Sequence, residues 1–233
     1  MADYMISLAN GRDEVWDSMS DTQKQRWIFL FADYGVVCEP SAEFGDHFPQ
    51  CKLYSLLNIQ LDQAVMVARY NKDTRLKRTV YGMVYSHAVT LLETFIGDSL
   101  IALAGSHSTV LLGVAQYYDE INKNGKMTMS EVMALPNGIK GKVISLLQND
   151  TFHNPDTIVK MFHKAFGEYG KGIDTSQVRP IIVRRHDIIH RNGVSSSGER
   201  LTLELEMLEE DIKVIRGFSA DLLAKINSAI SHL

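Results

Sequence analysis

Seven of the ten residues from Arg184 to Gly193 can bind phosphate or carry a proton: Arg184, Arg185, His186, Asp187, His190, Arg191 and Asn192. Together these types could break a phosphodiester in RNA without a metal. That reaction needs a base for the 2′-hydroxyl, an acid for the leaving oxygen and positive charge on the phosphorane-like transition state. Imidazole suits both proton transfers because it titrates near neutral pH. Guanidinium presents a planar fork of donors to phosphate oxygens. His186 and His190 stand four residues apart and share a helix face. Arg185 lies five residues before His190, about 140° round an ideal helix, so one chain does not bring the two together neatly. Two antiparallel copies about a two-fold axis would repeat the patch and could converge both sets on one cleft.

Two plainer readings of the same segment stand beside this one. The cluster could be a charged helix end in which Asp187 pairs with Arg191 or Arg184, worth a few tenths of a kcal/mol per pair. Histidines spaced i, i+4 could also ligate zinc, although no third ligand stands near them in sequence.

The elements that must position this cluster are read from apolar spacing. Helices are predicted from Ser20 to Phe31, Leu53 to Asn71, Tyr81 to Ala104 and Val110 to Ile121. A further helical stretch, Glu131 to Asp150, is broken at Leu135–Gly138. Asn154 caps the next helix, with Pro155 at its first position. The helix carrying the cluster opens at Gln177 or Arg179, tolerates Pro180 in its first turn, and stops at Asn192-Gly193. Ser195–Gly198 reads as a mobile connector, and the last helix spans about Leu205 to Ile230. Gly35 to Cys51 has no period and reads as a loop. The chain therefore divides into an N-terminal extension, residues 1–53, of unassigned role, and a helical domain, residues 54–233. The fold class is all-α.

Residues 69–78 hold five basic side chains against one acidic, which reads as a solvated helix end or as a patch steering phosphate. Glu93, inside the apolar stripe of the Tyr81 helix, is a paired core carboxylate or a member of the site. His87, His107, His153 and His163 read as surface or capping residues, and Trp16 and Trp27 as core or interface aromatics. Cys38 and Cys51 fall outside any CxxC spacing, which suggests neither a disulfide framework nor a zinc site, only inert thiols.

Composition sets outer limits. With 45% apolar and 22% charged residues the chain is suited to a packed core rather than to disorder. A net charge of −4 and a pI near 6.1 argue against a broad nucleic-acid wrap, so any contact with RNA is expected to be local. The first residues lack the apolar run of a signal peptide, and no stretch of about 18 apolar residues is expected to cross a membrane. A cytoplasmic location without a membrane partner is the expectation.

Arg185-His186-x-x-x-His190 resembles the Rx4-6H signature of the HEPN superfamily, in which the residue after the arginine is usually polar. Ser86-His87-Ala88 through Leu92-Glu93-Thr94-Phe95 looks like the early helix of that family, with a carboxylate facing the site. Phe152-His153-Asn154-Pro155-Asp156-Thr157-Ile158 and Glu210-Asp211-Ile212 resemble the branch called RiboL-PSP-HEPN. The resemblance covers residues 54–233. It implies a HEPN-like helical bundle, a homodimer formed through the motif helices, and metal-independent endoribonuclease activity with no cofactor, used in phage defence or toxin–antitoxin systems. On that resemblance Arg185 would polarise the scissile phosphate, His190 would be the acid or base, and His186 would orient the pair. Glu93 would be a supporting carboxylate, with Asp187, Arg191 and Asn192 contacting substrate or fixing the histidine tautomer. Arg184 would be an alternative to Arg185 in a looser register. An antitoxin or another regulatory partner is implied as well, and a non-catalytic module binding RNA, nucleotide or protein is the alternative.

Overall fold

The computed structural model describes residues 49–121, 128–135 and 137–232. These residues form helices α1 (Pro49–Tyr70), α2 (Lys77–Ser106), α3 (Ser108–Ile121), α4 (Met129–Met133), α5 (Gly138–Asn149), α6 (Pro155–Phe166), α7 (Val178–His190) and α8 (Leu205–Ile230). A 3₁₀ turn, Gly167–Gly170, follows α6. Among the described residues there is no strand, only one isolated antiparallel bridge between Val194 and Arg200. The all-α expectation holds. The predicted helix Ser20–Phe31, the two tryptophans and Cys38 lie outside the described residues.

α2 is the axis of the bundle and packs against α1, α3, α5, α7 and α8. Its apolar residues point almost all round: Val84, Ala88, Val89, Leu92, Phe95, Ile96, Leu100 and Leu103 are all buried. A helix apolar on every side must be enclosed on every side, which is why five neighbours gather on it. By length and composition α2 could span a bilayer, and 72% of its most apolar window is buried inside the fold. This corrects the expectation that no stretch of that kind exists. Glu93 and Asp98 interrupt the apolar run without lowering its average enough to exclude it.

Helix ends follow local chemistry. Asn154 Oδ1 accepts from Asp156 N at 2.9 Å, and Pro155 occupies the first helical position of α6. The predicted break between Glu131 and Asp150 separates α4 from α5. α1 begins at Pro49 rather than Leu53, so the expected boundary at 53/54 falls inside a helix. Gln50 is buried in its first turn, donating to Asn227 Oδ1 on α8 at 3.1 Å. The 195–198 connector is also more ordered than its composition suggests. Gly193 and Gly198 take positive φ (73° and 86°), Ser195 N donates to Glu199 O and Leu201 N to Gly193 O, which closes a tight hairpin leading from α7 to α8.

α3 and α6 touch at their backbones. A Cβ at Gly113 would lie 2.1 Å from the Lys164 carbonyl oxygen, a distance no packing adjustment of side chains can relieve. Gly113→Ala is therefore expected to push the two helices apart and destabilise the protein by about 1–3 kcal/mol or more. A lowered denaturation midpoint in urea, compared with Gly217→Ala, whose Cβ meets nothing, checks this.

Candidate functional site

α2 and α7 run antiparallel, and their contacts fix where each motif residue goes. At one end Arg78 Nη2 donates to the Asn192 carbonyl at 2.7 Å. Gly82 then faces Ile188, whose Cγ2 lies 3.4 Å from where a Cβ at position 82 would be. Tyr85 meets Arg184 Nη1 at 3.0 Å. Farthest along, Glu93 Oε2 faces Arg185 Nη2 at 3.9 Å. Side chains of a helix lean toward its N-terminus, so Arg185 reaches along α2 away from the end at which His190 sits.

Besides Arg185, which faces Glu93, α7 separates its cluster into three groups. The first is structural. Arg184 pairs with Asp211 of α8, and both meet the Tyr85 hydroxyl, which donates to Asp211 Oδ2 at 2.8 Å. Burial, with Asp211 beside it, drives the Tyr85 phenol far above its ordinary range, so Tyr85 remains a neutral donor. Arg184 is held inside this network, which gives it a partner other than a substrate.

The second group ends the helix. Asp187, almost fully buried, accepts from Arg191 Nη1 at 2.9 Å. Its carbonyl receives Arg191 N at 3.1 Å and Gly193 N at 2.9 Å, while Asn192 and Gly193 take left-handed φ values of 50° and 73°. This is the glycine-dependent stop expected at Asn192-Gly193. Arg78 closes the end from α2. Asn192, expected to meet substrate or orient a histidine, gives its carbonyl to this clamp.

The third group is the one left facing outward. His186 and His190 are both exposed, their rings tilted at 44° with centroids 4.7 Å apart. Val183 (57% exposed) and Ile189 (45%) flank them on α7, and Met83 (68%) stands on the neighbouring helix α2. On α7, then, two imidazoles and two large apolar side chains share the solvent-facing side of the helix. Among the described residues no three His, Cys, Asp or Glu side chains are grouped to hold a metal ion, so the zinc reading of this pair finds no third ligand there.

Glu93 is drawn two ways. Burial raises its pKa above the usual 4.5, while Arg185 and His153 pull it back. Its Oε1 and the Arg185 Nε are buried without a hydrogen-bond partner, so at 3.9 Å the pair is coupled by charge and not closed by directed bonds. An acid whose folded pKa is raised adds stability that is complete below the unfolded pKa and is lost as pH rises through the folded one. Wild type is accordingly expected to lose stability relative to Glu93→Gln as pH is raised through the carboxylate range, read as the difference between their melting temperatures on either side of it.

The basic stretch 69–78 is largely neutralised. Arg69 pairs with Glu209, Arg75 with Asp73 and Lys77 with Glu204, which matches the solvated reading for those three. Arg78 instead serves the end of α7. Sequence reasoning missed Arg78, Tyr85 and Asp211 as partners of the cluster, because they stand 114, 99 and 27 residues from the groups they bind. It also placed His153 among surface residues, which its exposure matches and its nearness to Glu93 does not. No protein-family model matches this chain, and neither does any curated protein or solved structure.

Proposed function

We propose that this protein is a HEPN-like, metal-independent endoribonuclease working as a homodimer, with Arg185 and His190 as its central pair. The observation that carries this reading is the exposed His186/His190 pair on an apolar-flanked face of the helix that also holds Arg185. A purely structural helix end has no use for two solvent-facing imidazoles in contact. The apolar residues around them give a second copy something to bury. An isologous contact through α7 would set His190 of one copy near the Arg185 half of the other, joining groups that a single chain sends to opposite ends.

In this scheme Arg185 binds a phosphate oxygen and stabilises the negative charge that builds on it. Glu93 holds the guanidinium in place without saturating it. His190, at the C-terminal end of α7, protonates the leaving 5′-oxygen, while His186 keeps its ring in register. A chain that is acidic overall touches only a short stretch of RNA, and single-stranded segments best allow in-line attack by the 2′-oxygen. Phage defence or control by an antitoxin partner is the setting the family resemblance suggests, and a cytoplasmic location goes with it.

The test is to incubate the full-length protein with total RNA in excess chelator, then map new 5′ ends and their chemistry. Cleavage that leaves 2′,3′-cyclic phosphate and 5′-hydroxyl is expected. Activity that strictly requires a divalent metal would remove this mechanism. Size-exclusion chromatography with light scattering is expected to give twice the mass of the chain, and substitution of Val183 and Ile189 by charged residues to give one chain.

A further inference from the structure

The segment between α5 and α6, residues 150–154, is built to hold one side chain in a fixed place. Asp150 ends α5 and accepts from the Tyr118 hydroxyl at 2.9 Å. Phe152 is buried against α2 at Gly97, where a Cβ would lie 2.9 Å from the phenyl ring. Asn154 caps α6. Three of the five residues are pinned, and between the last two pins stands His153, exposed.

Gly97 is one helical turn beyond Glu93, so the two lie on the same face of α2. The segment that carries His153 is thereby anchored one turn from Glu93, and His153 lies within electrostatic reach of that carboxylate. Glu93 faces the Arg185 guanidinium of α7 at 3.9 Å, with Oε1 buried and lacking a partner, and the His153 imidazole acts on it through charge. His190, on the exposed face with His186, belongs to neither contact.

Resting on the ribonuclease reading, we propose that His153 is the second proton-transferring imidazole of the site, acting as the general base beside Arg185 and Glu93. One imidazole can take the 2′-proton or give the 5′-proton, and a single turnover needs both transfers. Arg185 already balances the charge of Glu93, and the exposed ring of His153, near enough for the carboxylate to act on its charge, is left to accept a proton. His153 removes the proton of the ribose 2′-hydroxyl as that oxygen bonds to phosphorus. The bond from phosphorus to the 5′-oxygen breaks, and that oxygen takes a proton from the His190 imidazolium of the second copy. The products are a 2′,3′-cyclic phosphate and a 5′-hydroxyl, and the two rings exchange their protons with water. The other charged groups near the segment are Asp150, engaged by Tyr118, and Asp156, paired with Arg179 of α7 at 2.5 Å.

The experiment uses full-length wild type, His153→Ala, His153→Gln, His190→Ala and, as a control, His163→Ala, whose exposed ring lies on α6. A labelled single-stranded RNA is compared with the same RNA carrying sulfur in place of the bridging 5′-oxygen, a leaving group that needs no proton. Both His153 variants are expected to lose about 10²–10⁴-fold in kcat with KM changed only a few-fold. Their melting temperatures should stay at the wild-type value, and His163→Ala should keep wild-type activity. The sulfur substrate is expected to restore His190→Ala and to leave His153→Ala slow. Wild-type kcat in His153→Ala beside an inactive His190→Ala would overturn the role of His153 and leave the ribonuclease reading standing. Restoration of His153→Ala by the sulfur substrate would overturn its assignment as base. No cleavage by wild type would overturn the ribonuclease reading itself.

Discussion

Replacing His190 by alanine is expected to lower RNA cleavage by about 10²–10⁴-fold while the melting temperature and the dimer mass stay at wild-type values. The expectation follows from exposure: His190 stands in solvent against His186 and gives the core nothing to lose. Arg185→Ala is expected to cost about 10²–10³-fold, the effect of removing one preorganised charge-stabilising donor. It differs from His190→Ala in a second readout, because it also strips the partly buried Glu93 of its cation and should soften the melting transition. Arg185→Lys keeps the charge but not the fork, and is expected to recover stability more than activity. Wild-type cleavage by His190→Ala, measured on single-stranded RNA in chelator, would end the mechanism.

The second large effect is on stability. Asp211→Ala is expected to destabilise the protein by about 2–4 kcal/mol and lower Tm by roughly 5–10 °C, because it leaves Arg184 charged and Tyr85 with only the longer contact to the Ile181 carbonyl at the junction of α2, α7 and α8. Arg184 and Asp211 keep 27% and 18% of their side-chain surface, so the cost falls below that of a fully buried pair. A cycle with Arg184→Met separates the pair from its desolvation. The double variant should lose less than the two single losses added together, since no charge is then stranded. Simple additivity of the two losses would mean that the network does not act as a unit.

Much of the architecture was legible because it is written in local chemistry. Asn154-Pro155 announces a helix start, Asn192-Gly193 a helix stop, and the apolar period of α8 needs no partner to be read. The ends that slipped were those fixed from elsewhere. α1 is already helical at Pro49, where an apolar count waits for Leu53 and where Gln50 finds Asn227 across the bundle, and α2 starts at Lys77 where the same count waits for Tyr81. The 3₁₀ turn 167–170 carries two glycines and no period, and it depends on a close approach of Gly170 to the Phe162 carbonyl.

At the site, spacing correctly shows that Arg185 and His190 diverge on one helix. It carries nothing about where the guanidinium goes, since Glu93 precedes it by 92 positions along the chain. By sequence Asp187 suits both a pairing partner and a histidine-orienting group. Its contact is with Arg191, a choice of rotamer that an i, i+4 count permits but does not select. His153 looked like any exposed loop histidine because its meaning lies in Phe152 beside it and in the missing side chain at Gly97.

One rod, α2, grips α7 at three heights: Arg78 on the Asn192 carbonyl, Tyr85 on Arg184, and Glu93 on Arg185. Sliding or rolling the motif helix would have to break all three at once, so the two helices travel as a single body. Silencing such a surface by internal rearrangement is costly, whereas shielding it is cheap. A partner that silenced the proposed site would accordingly act as a cover laid over the imidazole face rather than by moving α7 against α2.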